Sequence, residues 1–256
     1  MISKNQLKLL RALAQKKYRK QHNCYLVQGE KNILELFSAN VPIKQLFASP
    51  AFIAAHNDKI LAAHNDKILA DDIVEADEES LSKSSTLVSN NAAIAIVTMP
   101  EQSSIETSGL VLALDGVSDP GNLGTIIRVA DWYGLKQIVV SQDCADHFNP
   151  KVISATMGSF VRVNVIRTDL AAFLADYDGD IYGAYLGGQS VHETQFAKKG
   201  VLVMGSESHG IREQVAPYIN QKITIPAFGG AESLNVAMAT GIILDNIKRQ
   251  DYTNPQ

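Results

Sequence analysis

Short apolar runs alternate with helically spaced stretches from residue 110 onward, and this alternation most restricts the possible fold. The strand-like runs are 110–114, 137–141, 161–166, 181–186, 201–204 and 222–225. The helical stretches are 122–134, 150–158, 168–176, 211–219 and 233–250. Continuous apolar strands separated by helices predict a three-layer α/β/α domain with a mostly parallel sheet. Functional residues in such folds usually lie in the loops beyond the carboxyl ends of the strands.

A smaller α/β unit precedes this region. Ser3 and Gln6 have the spacing of a helix capping box, and Leu7, Leu10 and Leu13 follow at helical spacing. Strand candidates lie at 24–27, 43–48 and 93–97. Residues 99–109 are polar and show no periodicity, which is typical of a boundary. The expected division is therefore a domain over 1–98, a linker over 99–109 and a second domain over 110–256.

Charge is distributed unevenly along the chain. The net charge of −4 would ordinarily count against a nucleic-acid partner, but residues 1–50 alone have a net charge of +7. The first 20 residues contain no acidic side chain and seven basic ones: Lys4, Lys8, Arg11, Lys16, Lys17, Arg19 and Lys20. Such asymmetry indicates either a basic arm that meets a polyanion or a solvated helix face.

Several classes of protein are disfavoured by composition. No apolar stretch approaches the roughly 18 residues of a membrane span, and the N-terminus lacks the apolar core of a signal peptide. Cys24 and Cys144 lie far apart without a CxxC motif, so neither a disulfide framework nor a zinc site is indicated. We expect a soluble, cytoplasmic protein without a metal.

A tandem repeat lies inside the first domain. The sequence AAHNDKIL occupies residues 54–61 and again 62–69, which places His56 near Asp58 and His64 near Asp66. Metal binding is one interpretation, although residues two apart on a helix do not share a face. Lengthening of an exposed helix is the favoured interpretation.

The first of three dense loops follows the run 110–114. It reads Asp119-Pro120-Gly121-Asn122-Leu123-Gly124. A helix is expected to begin near Asn122, and its free N–H groups favour anions. Arg128 follows on this helix, where its apolar neighbours predict that little of it is exposed.

The second loop, GSESHG at 205–210, follows the run 201–204. It lacks the G-x-S-x-G pattern of a hydrolase nucleophile. Glu207 is a candidate for polar recognition, with a favourable charge at a helix N-terminus as the alternative.

The third loop, IPAFGGAESLNVA at 225–237, leads into the last helix. Ser233 is expected to cap that helix, which would leave Asn235 two residues inside it and unexplained by capping. The helix is apolar on more than one side, which predicts full burial or an oligomer interface.

Together the three loops resemble the three motifs of the SpoU/TrmH family of RNA ribose 2′-O-methyltransferases, the knotted SPOUT class. The segment NPKVISATMGSF beginning at Asn149 is also similar to a family segment, and the resemblance covers residues 110–248. The N-terminal region resembles, more weakly, the ribosomal-protein-like substrate domain of ribosomal-RNA members. That resemblance implies RNA docking through the basic residues of the first 20 positions.

The resemblance implies a trefoil knot, a homodimer with the site at its interface, and S-adenosylmethionine as cofactor. The cofactor residues that it implies are Leu186, Gly187, Met204, Gly205, Ile225 and Leu234. Arg128 is placed at the reacting hydroxyl, either as a base or as a stabiliser of the alkoxide. Because a guanidinium stays protonated in proteins, stabilisation is physically easier. The residues implied to orient Arg128 and the ribose are Asn122, Glu207, Ser233 and Asn235.

Two other classes of function remain open from the sequence. One is a module that binds structured RNA without catalysis. The other is a different α/β enzyme, such as a hydrolase or a nucleotide-binding oxidoreductase, and the absence of a GxSxG elbow and of GxGxxG weighs against it. The appended N-terminal domain favours ribosomal RNA over transfer RNA as substrate.

Overall fold

The computed structural model describes residues 2–64 and 72–253, in two compact units. The first unit comprises Met1–Glu101 with Asp146–Val161, and the second comprises Gln102–Ala145 with Arg162–Gln256. The helices are α1 (Lys4–Leu13), α2 (Lys16–His22), α3 (Glu30–Ser38), α4 (Pro50–His64), α5 (Glu78–Ser84), α6 (Pro120–Trp132), α7 (Pro150–Ala155), α8 (Leu170–Ala175) and α9 (Val236–Thr253). The strands are β1 (Cys24–Gln28), β2 (Ile43–Ala48), β3 (Ile73–Glu75), β4 (Ala93–Thr98), β5 (Leu110–Asp115), β6 (Gln137–Val140), β7 (Asn164–Arg167), β8 (Ile181–Ser190), β9 (Gly200–Gly205) and β10 (Gln221–Thr224).

The first unit contains a four-stranded sheet in the order β1-β4-β2-β3. Strand β4 pairs antiparallel with β1 and β2, and β2 pairs in parallel with β3. The predicted capping box starts α1: the Gln6 N–H donates to the Ser3 hydroxyl at 3.3 Å, and the Ser3 N–H donates to Gln6 Oε1 at 2.9 Å. Leu10 and Leu13 of α1 are fully buried, so the apolar face of this helix forms part of the core.

The segment Asp146–Val161 packs with the first unit, which a contiguous division of the chain at residues 99–109 does not anticipate. The Tyr25 ring of β1 lies 4.7 Å from the Phe148 ring and 6.5 Å from the Phe160 ring. At Gly158, whose φ is +101°, an added Cβ would lie only 2.3 Å from Glu35 Cγ. Aromatic packing and this close approach explain why the segment belongs to the first unit.

The first copy of the AAHNDKIL repeat lies within α4. His56 interrupts the helical backbone there, with φ −125° and ψ 21°. Its Nε2 atom is 2.9 Å from Glu30 Oε1, and its ring lies 4.7 Å from that of Phe52. Most of the second copy, including Asp66, falls outside the described residues, as does the side chain of His64.

The second unit contains a six-stranded sheet in the order β10-β8-β9-β5-β6-β7, and every neighbouring pair is parallel. Val111 and Ala113 pack in one cluster with residues of α8, and Leu112 and Leu114 point to the opposite face because side chains alternate along a strand. Helices α6 and α9 contact each other, and they contact β6 and β9 respectively. The prediction of an α/β fold with a mostly parallel sheet is confirmed.

One predicted helix is absent, and one predicted helix begins later than expected. The stretch 211–219 forms only a single 3₁₀ turn at Ala216–Tyr218, because the Arg212 N–H donates to the Asp115 carboxylate and Pro217 has no N–H. The last helix begins at Val236 and not at residue 233. In the first case the Asp115 carboxylate binds a backbone N–H within the predicted helix. In the second case Asn235 accepts from the Ala237 N–H and so caps the helix later than predicted.

Candidate functional site

Strands β5 and β9 lie side by side at the centre of the second sheet, where the strand order reverses. The chain proceeds from β5 to β6 on one side, whereas β9 and β8 lie on the other. Asp115 and Gly205 end these strands and are opposite each other in the register. Ligands of open α/β sheets bind at such a switch point, so the loops that follow Asp115 and Gly205 form the candidate site.

The loop after β5 is fixed by its helix cap. The Asp119 side chain accepts a hydrogen bond from the Asn122 N–H at 2.8 Å, and Pro120 occupies the first turn of α6, as is common at helix starts. The Asn122 side chain therefore leaves the first turn in a defined direction. Its Nδ2 donates to Glu207 Oε1 of the next loop.

The loop after β9 is a tight turn closed at its base. The Ser206 N–H donates to the Gly210 carbonyl at 3.1 Å, and the Gly210 N–H donates to the Ser206 carbonyl at 2.9 Å. A Cβ at Gly205 would lie 2.1 Å from the Gly210 carbonyl carbon, so this turn requires glycine there. Glu207 lies exposed on the turn.

Asn235 joins these two loops to the last helix. Its Nδ2 donates to Asn122 Oδ1 at 2.9 Å and to Glu207 Oε1 at 3.3 Å. Its Oδ1 accepts from the Ala237 N–H at 2.9 Å, so Asn235 is the cap of α9. The expectation that Ser233 caps this helix and that Asn235 lies inside it is wrong. Asn122, Glu207 and Asn235 together form one hydrogen-bonded cluster, called here the amide–carboxylate cluster.

The structure does not bring Arg128 or Ser233 into this cluster. Arg128 lies six residues beyond Asn122 on α6, which separates the two by about 9 Å along the axis and about 120° around it. It is exposed, contrary to expectation, and it forms no hydrogen bond or ion pair with any described residue. Ser233 is exposed in the loop before α9, where it likewise has no such partner within the described ranges.

The candidate cofactor residues lie on three segments at the same edge of the sheet. Met204 is buried in β9, Gly205 and Ile225 are half-buried, and Leu186 and Leu234 are 82% and 49% exposed. Strand β8 pairs with β10 at Gly183 and again at Gln189, while β10 advances by one residue only. Residues 184–188 therefore form a bulge within β8, and an added Cβ at Gly188 would lie 2.6 Å from the Lys222 carbonyl oxygen of β10.

An ion-pair network that the sequence did not reveal lies beneath these loops. The Arg212 guanidinium contacts the fully buried carboxylate of Asp115 and, at 2.7 Å, the carboxylate of Asp143. Hydrogen bonds to Asp115 raise the pKa of Arg212 above its ordinary value. Partial burial acts to raise the pKa of Asp143, but hydrogen bonds from Ser141 and the charge of Arg212 hold it below its usual value. In the sequence, this network was indicated by Asp115, a charged residue at the end of an apolar run.

Most of the predicted RNA-binding residues of the first unit are accessible. The exposed cations on or near α1 and α2 are Lys4, Lys8, Arg11, Lys16, Lys17 and Lys20. Arg19 is a correction, because it is 1% exposed and donates to the Leu13 and Ala14 carbonyls and, at 2.5 Å, to Asp146. A buried guanidinium that already binds two carbonyls and a carboxylate is not available to a phosphate, so Arg19 is a structural residue.

Two further features bear on the range of functions. Within residues 2–64 and 72–253, no helix has the length and apolar content needed to cross a bilayer. In the same part of the chain, no group of three or more His, Cys, Asp or Glu side chains is placed to hold a metal ion.

Comparison with known proteins gives a consistent result. The profile of the SpoU rRNA methylase family matches residues 109–245, and that of the MRM3-like substrate binding domain matches residues 4–95. A 23S rRNA (guanosine(2553)-2'-O)-methyltransferase of Bacillus subtilis is 34% identical over 158 residues, which are 60% of this chain and 63% of that protein. The chain thus spans about six tenths of the length of the first curated relatives that it matches.

Solved structures resemble the chain over nearly its whole length. A structure from Porphyromonas gingivalis, described as of the TrmH family of RNA methyltransferases, has a TM-score of 0.85 and 34% identity and covers 98% of this chain and 99% of its own. An AdoMet-bound rRNA methyltransferase from Sinorhizobium meliloti has a TM-score of 0.83 and 28% identity, with coverage of 98% and 97%.

Proposed function

Because the chain belongs to the SpoU rRNA methylase family, we propose that it methylates a ribose 2′-hydroxyl of structured RNA with S-adenosylmethionine. The observation that supports this most is the amide–carboxylate cluster, which joins residues of all three family-like motifs at the switch point of the sheet. Ribosomal RNA is the proposed substrate in preference to transfer RNA, since the similar proteins from Bacillus subtilis and Sinorhizobium meliloti are named for ribosomal RNA.

Arg128 is the proposed group at the reacting hydroxyl. A hydroxyl is a weak nucleophile, and its oxygen gains negative charge as it loses its proton. An exposed guanidinium without a protein partner is free to donate to that oxygen and to an adjacent phosphate. Stabilisation of the alkoxide is preferred here over a role as base, because a guanidinium stays protonated.

The amide–carboxylate cluster has a positioning role in this proposal. Glu207 accepts from both Asn122 and Asn235, so its carboxylate fixes the start of α6 relative to the start of α9. Ser233 lies two residues before Asn235, with its hydroxyl available to the ribose or the phosphate. This arrangement would hold α6, and Arg128 with it, at a constant distance from the cofactor segments.

The proposed cofactor site fits a ligand with polar edges and an apolar ring. Residues 184–188 form a bulge of β8 that has no register partner in β9 or β10. At Gly187 no atom lies within 4 Å of an added Cβ, and Leu186 and Leu234 present exposed apolar side chains. The proposed contacts are made by Leu186, Gly187, Met204, Gly205, Ile225 and Leu234. S-adenosylmethionine bound there would supply a methyl group on a positively charged sulfur.

A trefoil knot is part of the same proposal. Strand β10 lies at the edge of the sheet, outside β8, yet α9 returns to contact β9 and α6. The chain between β10 and α9 therefore returns towards β9 on the side of β8, the strand that carries the bulge at residues 184–188. A return of this kind supports threading of the chain through a loop, as the family resemblance implies.

The N-terminal region is the proposed RNA-docking domain, over residues 1–98, joined by the linker 99–109 to a methyltransferase domain over 110–256. Its support is the match of residues 4–95 to a substrate-binding domain and the exposed cations on α1 and α2.

We further propose a cytoplasmic homodimer. Trp132 of α6 and Met238 of α9 are 85% and 62% exposed on two helices that contact each other, as expected of an interface with a second copy.

Transfer from labelled cofactor to total RNA of a strain that lacks the gene tests this function. We expect label in ribosomal RNA at one mapped ribose, and labelling at least about 100-fold slower with the Arg128→Ala variant. RNA binding without any transfer would instead identify a non-catalytic RNA-binding module.

A further inference from the structure

Asp115 and Arg212 form an ion pair beneath the loops that present Asn122 and Glu207. The Arg212 N–H donates to Asp115 Oδ2 at 2.8 Å, and its Nε donates to Asp115 Oδ1 at 2.8 Å. A second guanidinium nitrogen also contacts Oδ1. The Asp115 carboxylate is fully buried, so the backbone and the side chain of Arg212 are fixed on one carboxylate.

A second carboxylate extends this contact to the neighbouring strand. The remaining guanidinium nitrogen donates to Asp143 Oδ2 at 2.7 Å. The Ser141 hydroxyl donates to Asp143 Oδ1 at 2.8 Å and accepts from the Gly116 N–H at 2.9 Å. The segments after β5, β6 and β9 are thereby joined at one point.

We propose that Arg212 is a positioning residue for methyl transfer, an inference that rests on the proposed function. Glu207 lies on the 206–210 turn, and Arg212 fixes the chain immediately after that turn to the last residue of β5. Helix α6 begins five residues after Asp115, so the same contact sets the base of the Asn122 loop. Arg212 thus determines the register in which Glu207 meets Asn122 and Asn235.

A purely stabilising role explains this arrangement less well. A buried ion pair is often no more stable than an apolar pair of the same volume. What the forked guanidinium adds is direction, since it binds two carboxylates at fixed angles, which a lysine cannot do. Precise placement matters most in a reaction site, where an error of about 1 Å can reduce the rate about 100-fold.

The test compares Arg212→Gln and Arg212→Lys with the control Arg162→Gln. Arg162 forms an ion pair with Asp131 at 2.9 Å and is 41% exposed, so the control removes a paired guanidinium elsewhere in the same unit. The measurements are kcat, the KM for RNA, the cofactor Kd by calorimetry, and hydrogen exchange of the amides of 206–210.

We expect Arg212→Gln to lower kcat about 100-fold while the cofactor Kd changes by less than about threefold. Exchange over 206–210 should accelerate relative to the control. Arg212→Lys keeps the charge but not the fork, so it should lose kcat by a similar factor, and it replaces the glutamine variant in every comparison if that variant does not fold.

The proposal is overturned if kcat stays within about threefold of wild type, or if the cofactor affinity falls by the same factor as kcat. Unchanged exchange over 206–210 would also overturn it. A wild-type protein that transfers no methyl group refutes the proposed function instead. In that case the exchange data still decide whether Arg212 holds the turn.

Discussion

Replacement of Arg128 by alanine tests the role of one exposed side chain. The change removes the proposed donor to the developing alkoxide, and loss of one such donor typically lowers kcat by about 10²- to 10³-fold. Because Arg128 has no hydrogen-bond partner among the described residues, the free energy of unfolding and the cofactor Kd should stay near wild-type values. Retained turnover, measured with labelled cofactor at saturating RNA, would refute the assignment.

Asn235 offers a substitution that separates stability from activity. Serine caps helices as well as asparagine does, so Asn235→Ser should cost less than about 0.5 kcal/mol in the free energy of unfolding. It loses the Nδ2 donor to Asn122 and Glu207, and we expect kcat to fall about tenfold or more. Asn235→Ala, which also loses the cap, is the comparison. Equal activity of the serine variant and wild type would contradict a positioning role.

The residues of the amide–carboxylate cluster could be predicted from the sequence, but their contacts could not. Asn122, Glu207 and Asn235 were predictable as candidates because each follows a strand in the same sheet. The capping role of Asn235 was missed because Ser233 offers an equally good local pattern. The Asp115–Arg212 pair was missed because its members are 97 positions apart and belong to no periodic pattern.

At the scale of elements, the Arg19–Asp146 pair links α2 to the segment that contains α7. Burial acts to raise the pKa of Asp146, but the hydrogen bond and charge of Arg19 prevail and hold it below its ordinary value. A lowered folded pKa means that this stabilisation is complete above the unfolded value of about 3.8 and is lost as the pH falls through the folded value.

Arg19→Met should therefore lower the free energy of unfolding at neutral pH by about 3–5 kcal/mol, since it leaves a partly buried carboxylate unpaired.

Urea unfolding at about pH 6 and about pH 2.5 should show that the free energy of unfolding falls less in acid for Asp146→Asn than for wild type. An identical loss in both proteins would show that the pair contributes nothing to acid sensitivity.

The six exposed cations on or near α1 and α2 make a separate prediction. Their replacement by glutamine should weaken RNA binding and reduce the salt dependence of log K by up to about 0.7–0.9 for each phosphate that the variant no longer neutralises. Arg19, Leu10 and Leu13 must stay, because they are buried. Lys198→Gln with Lys199→Gln is the control in the second unit. If the control reduced the slope equally for each charge removed, RNA docking by these helices would be refuted.

Apolar runs predicted the central strands of the second sheet closely, because a strand buried on both faces must be continuously apolar. The predicted strand 161–166 was less accurate, since β7 begins only at Asn164. Apolar runs do not predict that β8 extends to Ser190 with a bulge at residues 184–188. The register of β8 depends on β10, which lies far away in the chain. The false helix at 211–219 has the same origin. Its helical periodicity was overridden by the contact between the Arg212 N–H and the Asp115 carboxylate.

At the scale of the whole molecule, a net charge of −4 coexists with a basic N-terminal region. Acidic residues occur mainly from position 51 onward, so the net charge of the whole chain does not show that the first 50 residues are basic. The two matched families divide the chain in the same way, with a substrate-binding domain over 4–95 and a methylase over 109–245. The packing of Asp146–Val161 with the first unit was beyond sequence reasoning, because it depends on aromatic contacts to Tyr25.

The chemical identity of the methylated nucleoside distinguishes methylation of a ribose 2′-hydroxyl from methylation of a base. Ribosomal RNA methylated by the protein should be hydrolysed in alkali, which cleaves only where a free 2′-hydroxyl can attack the adjacent phosphate. We expect the label to survive in an alkali-resistant dinucleotide, which digestion to nucleosides resolves as one 2′-O-methylated nucleoside. Label recovered on a base in alkali-sensitive mononucleotides, or no label with active cofactor and unmodified ribosomal RNA, would contradict it.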